Sequence, residues 1–369
     1  MKKNKFLLIP FIALILGSIA SLSSCNEEID MIGEYKETPV LFCLLDKTDS
    51  IHYVKLTKTF SGNSNAIEAA QIADSSYYQE AEVKIEELIS GVVTRTWNLT
   101  DTTLFTKVPG AFYNPSQKLY YFKTSASNPL DNSAIYRLTA TLNGGEYTVT
   151  AETGLVKDIA ITSPISSYKF SQIVGGVKEF ATAQCKANAG NAAVMNATLE
   201  ITFDERFGST TVDKVFTWNV GELTGSQLGT VASFQLAGGN FYSLMKQNCT
   251  NDASIDRRRL KSFRMIVTGG SDELSRYILV NQPTTSLSQT KPTYTNLSCS
   301  DGRQAVGLFS SRLTVVQEKF EFNVTGILSS RCIDQQSMKT LCDGGITGTG
   351  GLLFCSSNTL DNTFINYCP

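Results

Sequence analysis

Ala134-Ile135-Tyr136-Arg137-Leu138-Thr139-Ala140-Thr141-Leu142-Asn143-Gly144-Gly145-Glu146-Tyr147-Thr148-Val149-Thr150-Ala151-Glu152-Thr153 decides the fold. Tyr136, Leu138, Ala140 and Leu142 alternate with polar residues up to Asn143-Gly144, and Tyr147, Val149 and Ala151 resume the alternation beyond it. A period of two marks a strand with one buried face, and Asn-Gly supplies the left-handed residues of a tight hairpin turn. A two-residue loop pairs Leu142 with Gly145, Ala140 with Tyr147, Leu138 with Val149 and Tyr136 with Ala151. Every apolar side chain then lies on one face.

Working outward, residues 39–45, 51–60, 82–88, 92–99, 104–108 and 118–124 read as further short strands, with turns at Asp46-Lys47-Thr48-Asp49 and Ser90-Gly91. Short strands at hairpin spacing predict an immunoglobulin-like or fibronectin-like β-sandwich over residues 37–156. Residues 65–74 carry a brief helical pattern in Ile67, Ala70 and Ile72, expected to cross one end of that sandwich. Beyond it, residues 159–161, 197–203, 212–220, 263–268 and 312–322 look like strands of a second mostly-β domain over residues 157–325. One helix stands out there: Asn240 is placed to cap 241–248, where Phe241, Leu244 and Met245 recur at helical spacing. The expected class is mostly β, with tandem β-sandwich domains, a short helix and a disulfide-stapled C-terminal tail.

The tail, residues 326–369, holds four of the nine cysteines and the run Asp343-Gly344-Gly345-Ile346-Thr347-Gly348-Thr349-Gly350-Gly351, too glycine-rich to suggest shape from core burial. Apart from Cys25, the cysteines form an even set: Cys43, Cys185, Cys249, Cys299, Cys332, Cys342, Cys355 and Cys368. Full pairing is permitted, the partners stay open, and an oxidising compartment is expected. With one histidine and no CxxC pair, no metal site is expected, and no cofactor.

At the other end, Met1-Lys2-Lys3-Asn4-Lys5 is basic and residues 6–20 are apolar except for Pro10, Gly17 and Ser18. That run is shorter than the roughly 20 residues of a spanning helix. The small residues that follow, Leu22-Ser23-Ser24-Cys25, resemble the lipobox of bacterial lipoproteins, whose signal (here 1–24) is cut before a cysteine that is then acylated. One acyl chain binds membranes marginally, and the two or three this resemblance implies at Cys25 would anchor the chain durably. The acidic Asn26, Glu27 and Glu28 open a tether over residues 25–36 and resemble the export signal that sends Bacteroidetes lipoproteins to the cell surface.

The lipobox, Pro39-Val40-Leu41-Phe42, Ala81-Glu82-Val83-Lys84-Ile85, Ile135-Tyr136-Arg137-Leu138 with its Asn-Gly hairpin, Tyr294-Thr295-Asn296-Leu297 and Gly307-Leu308-Phe309-Ser310-Ser311-Arg312 together resemble a family of Bacteroidetes outer-membrane lipoproteins that form a domain of unknown function. Its members are frequently encoded beside TonB-dependent β-barrel receptors. Over most of residues 25–325 the resemblance implies immunoglobulin-like β-domains, an outer-membrane address and a barrel partner, and it carries no catalytic residues. The cysteine-rich tail departs from the family's pattern.

Lysines and arginines number 32 against 34 acidic residues, which argues against a nucleic-acid-binding surface. A Ser-His-Asp or Cys-His site would need His52, which shares a strand face with Val54 and Leu56 and reads as a packed residue. Asp204-Glu205 is an acidic pair with no spacing that defines a glycosidase, and a solvated strand end is the plainer reading. The tail glycines lack the Lys-Ser/Thr of a phosphate loop. Arg257-Arg258-Arg259 with Lys261 and Arg264 is the one dense basic cluster, fit for lipopolysaccharide phosphates or an acidic partner, or else for a solvated loop paired to Asp252 and Asp256. Asp49-Ser50-Ile51 and Asp101-Thr102-Thr103 resemble an O-glycosylation pattern at Ser50 and Thr102. The function expected is therefore non-enzymatic: a lipid-anchored surface accessory or binding protein beside an outer-membrane receptor or transporter. The alternatives are a fimbrial subunit joined by strand exchange, or a glycan-binding protein using tyrosines and Trp97 or Trp218.

Overall fold

A computed structural model of the protein describes residues 36–60, 66–114, 116–282, 293–321 and 331–368, with Ala66 described by its backbone alone. Period-two alternation carries most of these residues into strands. The first half runs β1 (Pro39–Asp46), β2 (Ile51–Lys58), α1 (Ala66–Ala70), α2 (Ala73–Ser76), β3 (Ala81–Ile89), β4 (Val92–Asn98), β5 (Thr100–Leu104), β6 (Gln117–Lys123), β7 (Ile135–Leu142) and β8 (Tyr147–Gly154). The second continues with β9 (Ala160–Ser163), β10 (Ser171–Val174), β11 (Val177–Phe180), β12 (Thr182–Asn188), β13 (Val194–Phe207), β14 (Thr210–Thr224) and β15 (Val231–Ala237). Then come α3 (Gly238–Asn248), β16 (Ile255–Gly270), α4 (Asp272–Asn281), β17 (Ser298–Cys299), β18 (Val306–Phe320) and α5 (Gln335–Asp343).

The expected mostly-β sandwich architecture is present, with several sheets and a disulfide in the tail. An eight-stranded sheet, ordered β14-β13-β16-β18-β1-β2-β6-β5, is accompanied by a five-stranded sheet β17-β8-β7-β3-β4, a three-stranded sheet β15-β12-β9 and the hairpin β10-β11. Leu41, Val54 and Leu56 of the large sheet share a core with Ile85, Leu138 and Val149 of the five-stranded one. Leu199, Phe203 and Phe263 share a second core with Cys185, Phe234, Phe241 and Met245. The cores part between Leu155 and Val156, with Leu297 and Phe309 returning to the first.

Residue 156 therefore separates two cores but does not separate two folding units. β1 pairs in parallel with β18, from Val40 opposite Val306 to Asp46 opposite Arg312, so one sheet runs unbroken through both cores. Residues Thr38–Pro369 form one compact unit. Flanked on both edges, β1 is apolar on both faces, as buried parallel strands are: Leu41, Cys43 and Leu45 point into the core, while Val40, Phe42 and Leu44 are half-covered on the other side.

The deciding hairpin forms with a longer loop than expected. Leu142 pairs with Tyr147, Ala140 with Val149, Leu138 with Ala151 and Tyr136 with Thr153, leaving 143–146 as the loop. Asn143, Gly144 and Gly145 all have positive φ, and the Glu146 N–H reaches back to the Asn143 carbonyl. The shift relative to the expected register is two residues, so parity is kept and the apolar set stays on the core face.

Other expectations need correction. Residues 104–108 were expected as a strand, but pairing with β6 holds Thr100–Leu104, and Phe105 and Val108 leave the sheet exposed. Asn240 is not a cap: α3 starts at Gly238, whose N–H donates to the Ala181 carbonyl at 2.8 Å. The backbone there passes so close to Phe170 that a Cβ would lie 2.0 Å from its carbonyl oxygen, a position for glycine. Of the short helical pattern, Ala70 is buried, whereas Ile67 and Ile72 are exposed. The tail is stapled by Cys355–Cys368 as expected, but it is not an appendage. Cys332, Ile333, Met338, Leu341, Leu352 and Phe354 are buried in the second core, and α5, capped by the Asp334 carboxylate on the Ser337 N–H at 3.0 Å, packs into it. The glycines of 344–351 lie between apolar residues that do the burying.

Candidate lysine-aromatic cleft

Because β1 is apolar on its outer face, that face needs cover. α4 supplies part, with Tyr277 edge-on to Phe42 at 5.9 Å. Next to it a cleft of about 440 Å³ remains open. Val40 and Phe42 belong to its lining, as do Lys55 and Thr57, the outward residues of β2 whose neighbours Val54 and Leu56 are buried. Lys58, Thr59 and Phe60 follow from the end of β2, Ser76 and Tyr77 from the end of α2, and Lys107, Phe112 and Tyr113 from the segment between β5 and β6.

That segment is held in place by backbone groups. The Tyr113 N–H donates to the Ala70 carbonyl at 2.7 Å, and the Gln71 side-chain amide donates to the Ala111 carbonyl at 2.6 Å, tying it to α1. Lys107 Nζ donates to the Tyr113 carbonyl at 2.5 Å and sits 5.9 Å from the centre of the Phe112 ring. Lys58 lies 5.3 Å above the Tyr78 ring. Burial pulls the Lys107 ammonium below the ordinary lysine range, and the charge of Lys55 pushes the same way. Three ammonium groups and five aromatic rings thus line one concavity, and no carboxylate is among its described lining residues. A small organic ligand needs an apolar concavity with a few convergent polar groups, and the cleft has both.

Cys25, Asn26, Glu27 and Glu28 lie outside the described residues. Of the eight other cysteines, Cys355 and Cys368 are bonded, and Cys43, Cys185, Cys249, Cys299, Cys332 and Cys342 are thiols. Full pairing is thus not what the structure holds. These thiols pack as small apolar groups in or against the two cores, and burial pushes all of them up, Cys185 and Cys249 to about 11. His52 is buried, stacked on Phe122 at 4.6 Å with Nε2 3.0 Å from the Thr124 hydroxyl, and burial lowers its pKa. Ser50 is exposed in the β1–β2 turn, and Thr102 is half-buried on the edge strand β5, opposite Leu119.

Asp204 and Glu205 are not a solvated strand end, and the arginine run is not a loop. Both sit within paired strands, Asp204 opposite Arg259 and Glu205 opposite Arg258. Arg259 Nη2 donates to Asp204 Oδ2 at 2.8 Å, and Arg258 Nε donates to Glu205 Oε1 at 2.8 Å. Lys261 pairs with Asp213, Arg206 with Asp256 and Arg264 with Glu318. Asp252 turns instead to the Ser254 N–H and hydroxyl. Arg258, Arg259, Lys261 and Arg264 of the cluster thus meet the chain's own carboxylates, which weakens the motive for an acidic partner there. Trp218 is buried in the second core, and Trp97 packs on Phe122 at 5.0 Å beneath the Arg95 guanidinium.

The cleft residues were not anticipated from the sequence. The available signal was the apolar outer face of β1 beside the outward Lys55 of β2. Among the described residues no helix is long and apolar enough to cross a membrane. No family model and no curated protein matches the chain. Among solved structures, the C-terminal globular domain of an oligosaccharyltransferase from Pyrococcus abyssi is similar at 10% identity and a TM-score of 0.20, over 58% of this chain and 45% of that one. The chain thus spans less than half the length of that structure.

Proposed function

We propose that this chain is a non-enzymatic binding protein, anchored by lipid on Cys25 to the bacterial outer membrane, that works beside a TonB-dependent barrel and offers the lysine-aromatic cleft to a ligand. The observation that carries the binding role is the cleft itself, where ammonium groups converge on an apolar floor that no described side chain fills. On β16, by contrast, Arg258, Arg259 and Lys261 meet carboxylates of β13 and β14, whereas neither Lys55 nor Lys107 meets one among the described residues. Support for the address comes from the sequence: a basic start, an apolar run too short to span, Leu22-Ser23-Ser24-Cys25, and the acidic residues behind it.

Fractionation tests the anchor. The wild-type chain should sediment with outer membranes after a high-salt wash, and Cys25→Ala should lose both the lipid and the sedimentation. A Cys25→Ala chain that still sediments contradicts the reading. Gentle detergent extraction of tagged protein should bring down a β-barrel, and extracts free of any barrel remove the partner from the proposal.

A further inference from the structure

We propose that the cleft binds an anionic arene, a small molecule whose aromatic ring carries a carboxylate or phenolate oxygen. This rests on reading the cleft as the ligand site, and it names the ligand class.

Charge is the first argument. Lys55 and Lys107 line one concavity with no carboxylate among its described lining residues, and Lys107 meets the Tyr113 carbonyl and the Phe112 ring, neither of which carries charge. Burial disfavours the Lys107 ammonium, and the charge of Lys55 adds to that effect. An anion beside them offsets both effects, because it supplies the opposite charge that a carbonyl and a ring lack. Ring chemistry is the second argument. The cleft already uses cation-over-ring geometry at Lys107–Phe112 and, at its margin, at Lys58–Tyr78. A guest ring offers the ammonium groups a second π face while its own face lies on the apolar floor of Val40 and Phe42. The donors are lysines, point charges on flexible stems, which suit an anionic oxygen at the rim of a ring better than the paired geometry an arginine fork selects. A cleft of about 440 Å³ matches a small molecule, not a protein surface.

Isothermal titration calorimetry of the full-length chain in detergent tests this with 2-naphthoate, its neutral counterpart naphthalene-2-carboxamide, decanoate and inorganic phosphate. Naphthoate should bind, and the amide, decanoate and phosphate should each bind about tenfold more weakly or worse. Lys55→Met and Lys107→Met should weaken naphthoate by about tenfold, with the melting curve of Lys55→Met unchanged. Phe112 is largely exposed, so Phe112→Ala should keep the fold and lose affinity through the missing ring. The proposal is overturned by absent naphthoate binding, by an amide that binds equally, by decanoate or phosphate matching naphthoate, or by lysine variants that bind like the wild type. None of these outcomes affects membrane fractionation, so failure here leaves the anchor standing, and failure there leaves the ligand class standing.

Discussion

Glu205 and Arg258 face each other across β13 and β16 and meet at 2.8 Å with both side chains buried. The same guanidinium donates to the Leu352 and Thr250 carbonyls at 2.8 and 2.6 Å, and Glu205 accepts from the Thr250 N–H at 2.8 Å. One arginine therefore joins the large sheet, the segment after α3 and the tail. Arg258→Met should cost about 3–5 kcal/mol, since it strands a buried carboxylate. Urea unfolding should show the loss, and limited proteolysis should show the tail released first. A loss under about 1 kcal/mol would mean that the tail holds without this arginine.

Glu321, at the end of β18, is buried and accepts from Arg331 Nε at 2.9 Å, while Arg331 also pairs with Asp361. Burial pushes its carboxyl up from 4.5 to about 7, against the pull of Arg331. Between those values the folded chain keeps a proton that the unfolded chain releases. Its contribution to stability is therefore fully present below about 4.5 and lost as pH rises towards 7, with a slope of at most about 1.4 kcal/mol per pH unit. Glu321→Gln removes that slope. Denaturation midpoints of wild type and variant at about pH 5 and about pH 7.5 should diverge accordingly, and parallel curves would contradict the assignment.

Gly307 stands opposite Leu41 in the parallel pairing, with φ +123°, and a Cβ there would lie 1.8 Å from the Leu41 carbonyl oxygen. No side chain fits without parting the two strands. Gly307→Ala should destabilise by about 3 kcal/mol or more. Thermal melting is the measurement, with Gly302→Ala as the comparison, a glycine also of positive φ but with open space around it.

Cys355 and Cys368 close a loop across a separation of 13 residues. Closing a loop of that size is worth about 3 kcal/mol in chain entropy. Cys355→Ser should therefore lower stability by up to that amount, with protection lost first at the Cys368 N–H bonded to Ser356. Hydrogen exchange in the tail reads this directly.

How much of this was legible follows from how local each signal is. The hairpin 134–153 declared its strands and their core face, because alternation is a property of neighbouring residues. Its loop length was hidden, since a second glycine at Gly145 lets two registers keep the same face. Arg257-Arg258-Arg259 looked solvated because its partners Asp204 and Glu205 lie on another strand, and one sequence does not show which strands adjoin. The strand β12 was missed because its inward residues Ala183, Cys185 and Ala187 are small and make a weak apolar signal, and the helix α4 because none of its residues is fully buried. The cleft draws Val40, Lys55, Tyr77 and Lys107 from separate stretches, so no motif could announce it.

The parallel pairing of β1 with β18 sets an order of events for a chain that emerges with its N-terminus first. The first core's central strand must wait for a neighbour made near the other end, and until Arg312 is available one edge of β1 stays open. A strand apolar on both faces with an open edge is a template for other chains. Neither lobe can therefore finish early and wait for the other, and a stalled or truncated product should be prone to aggregate. Whatever shields residues 39–46 in that interval governs the yield of folded protein.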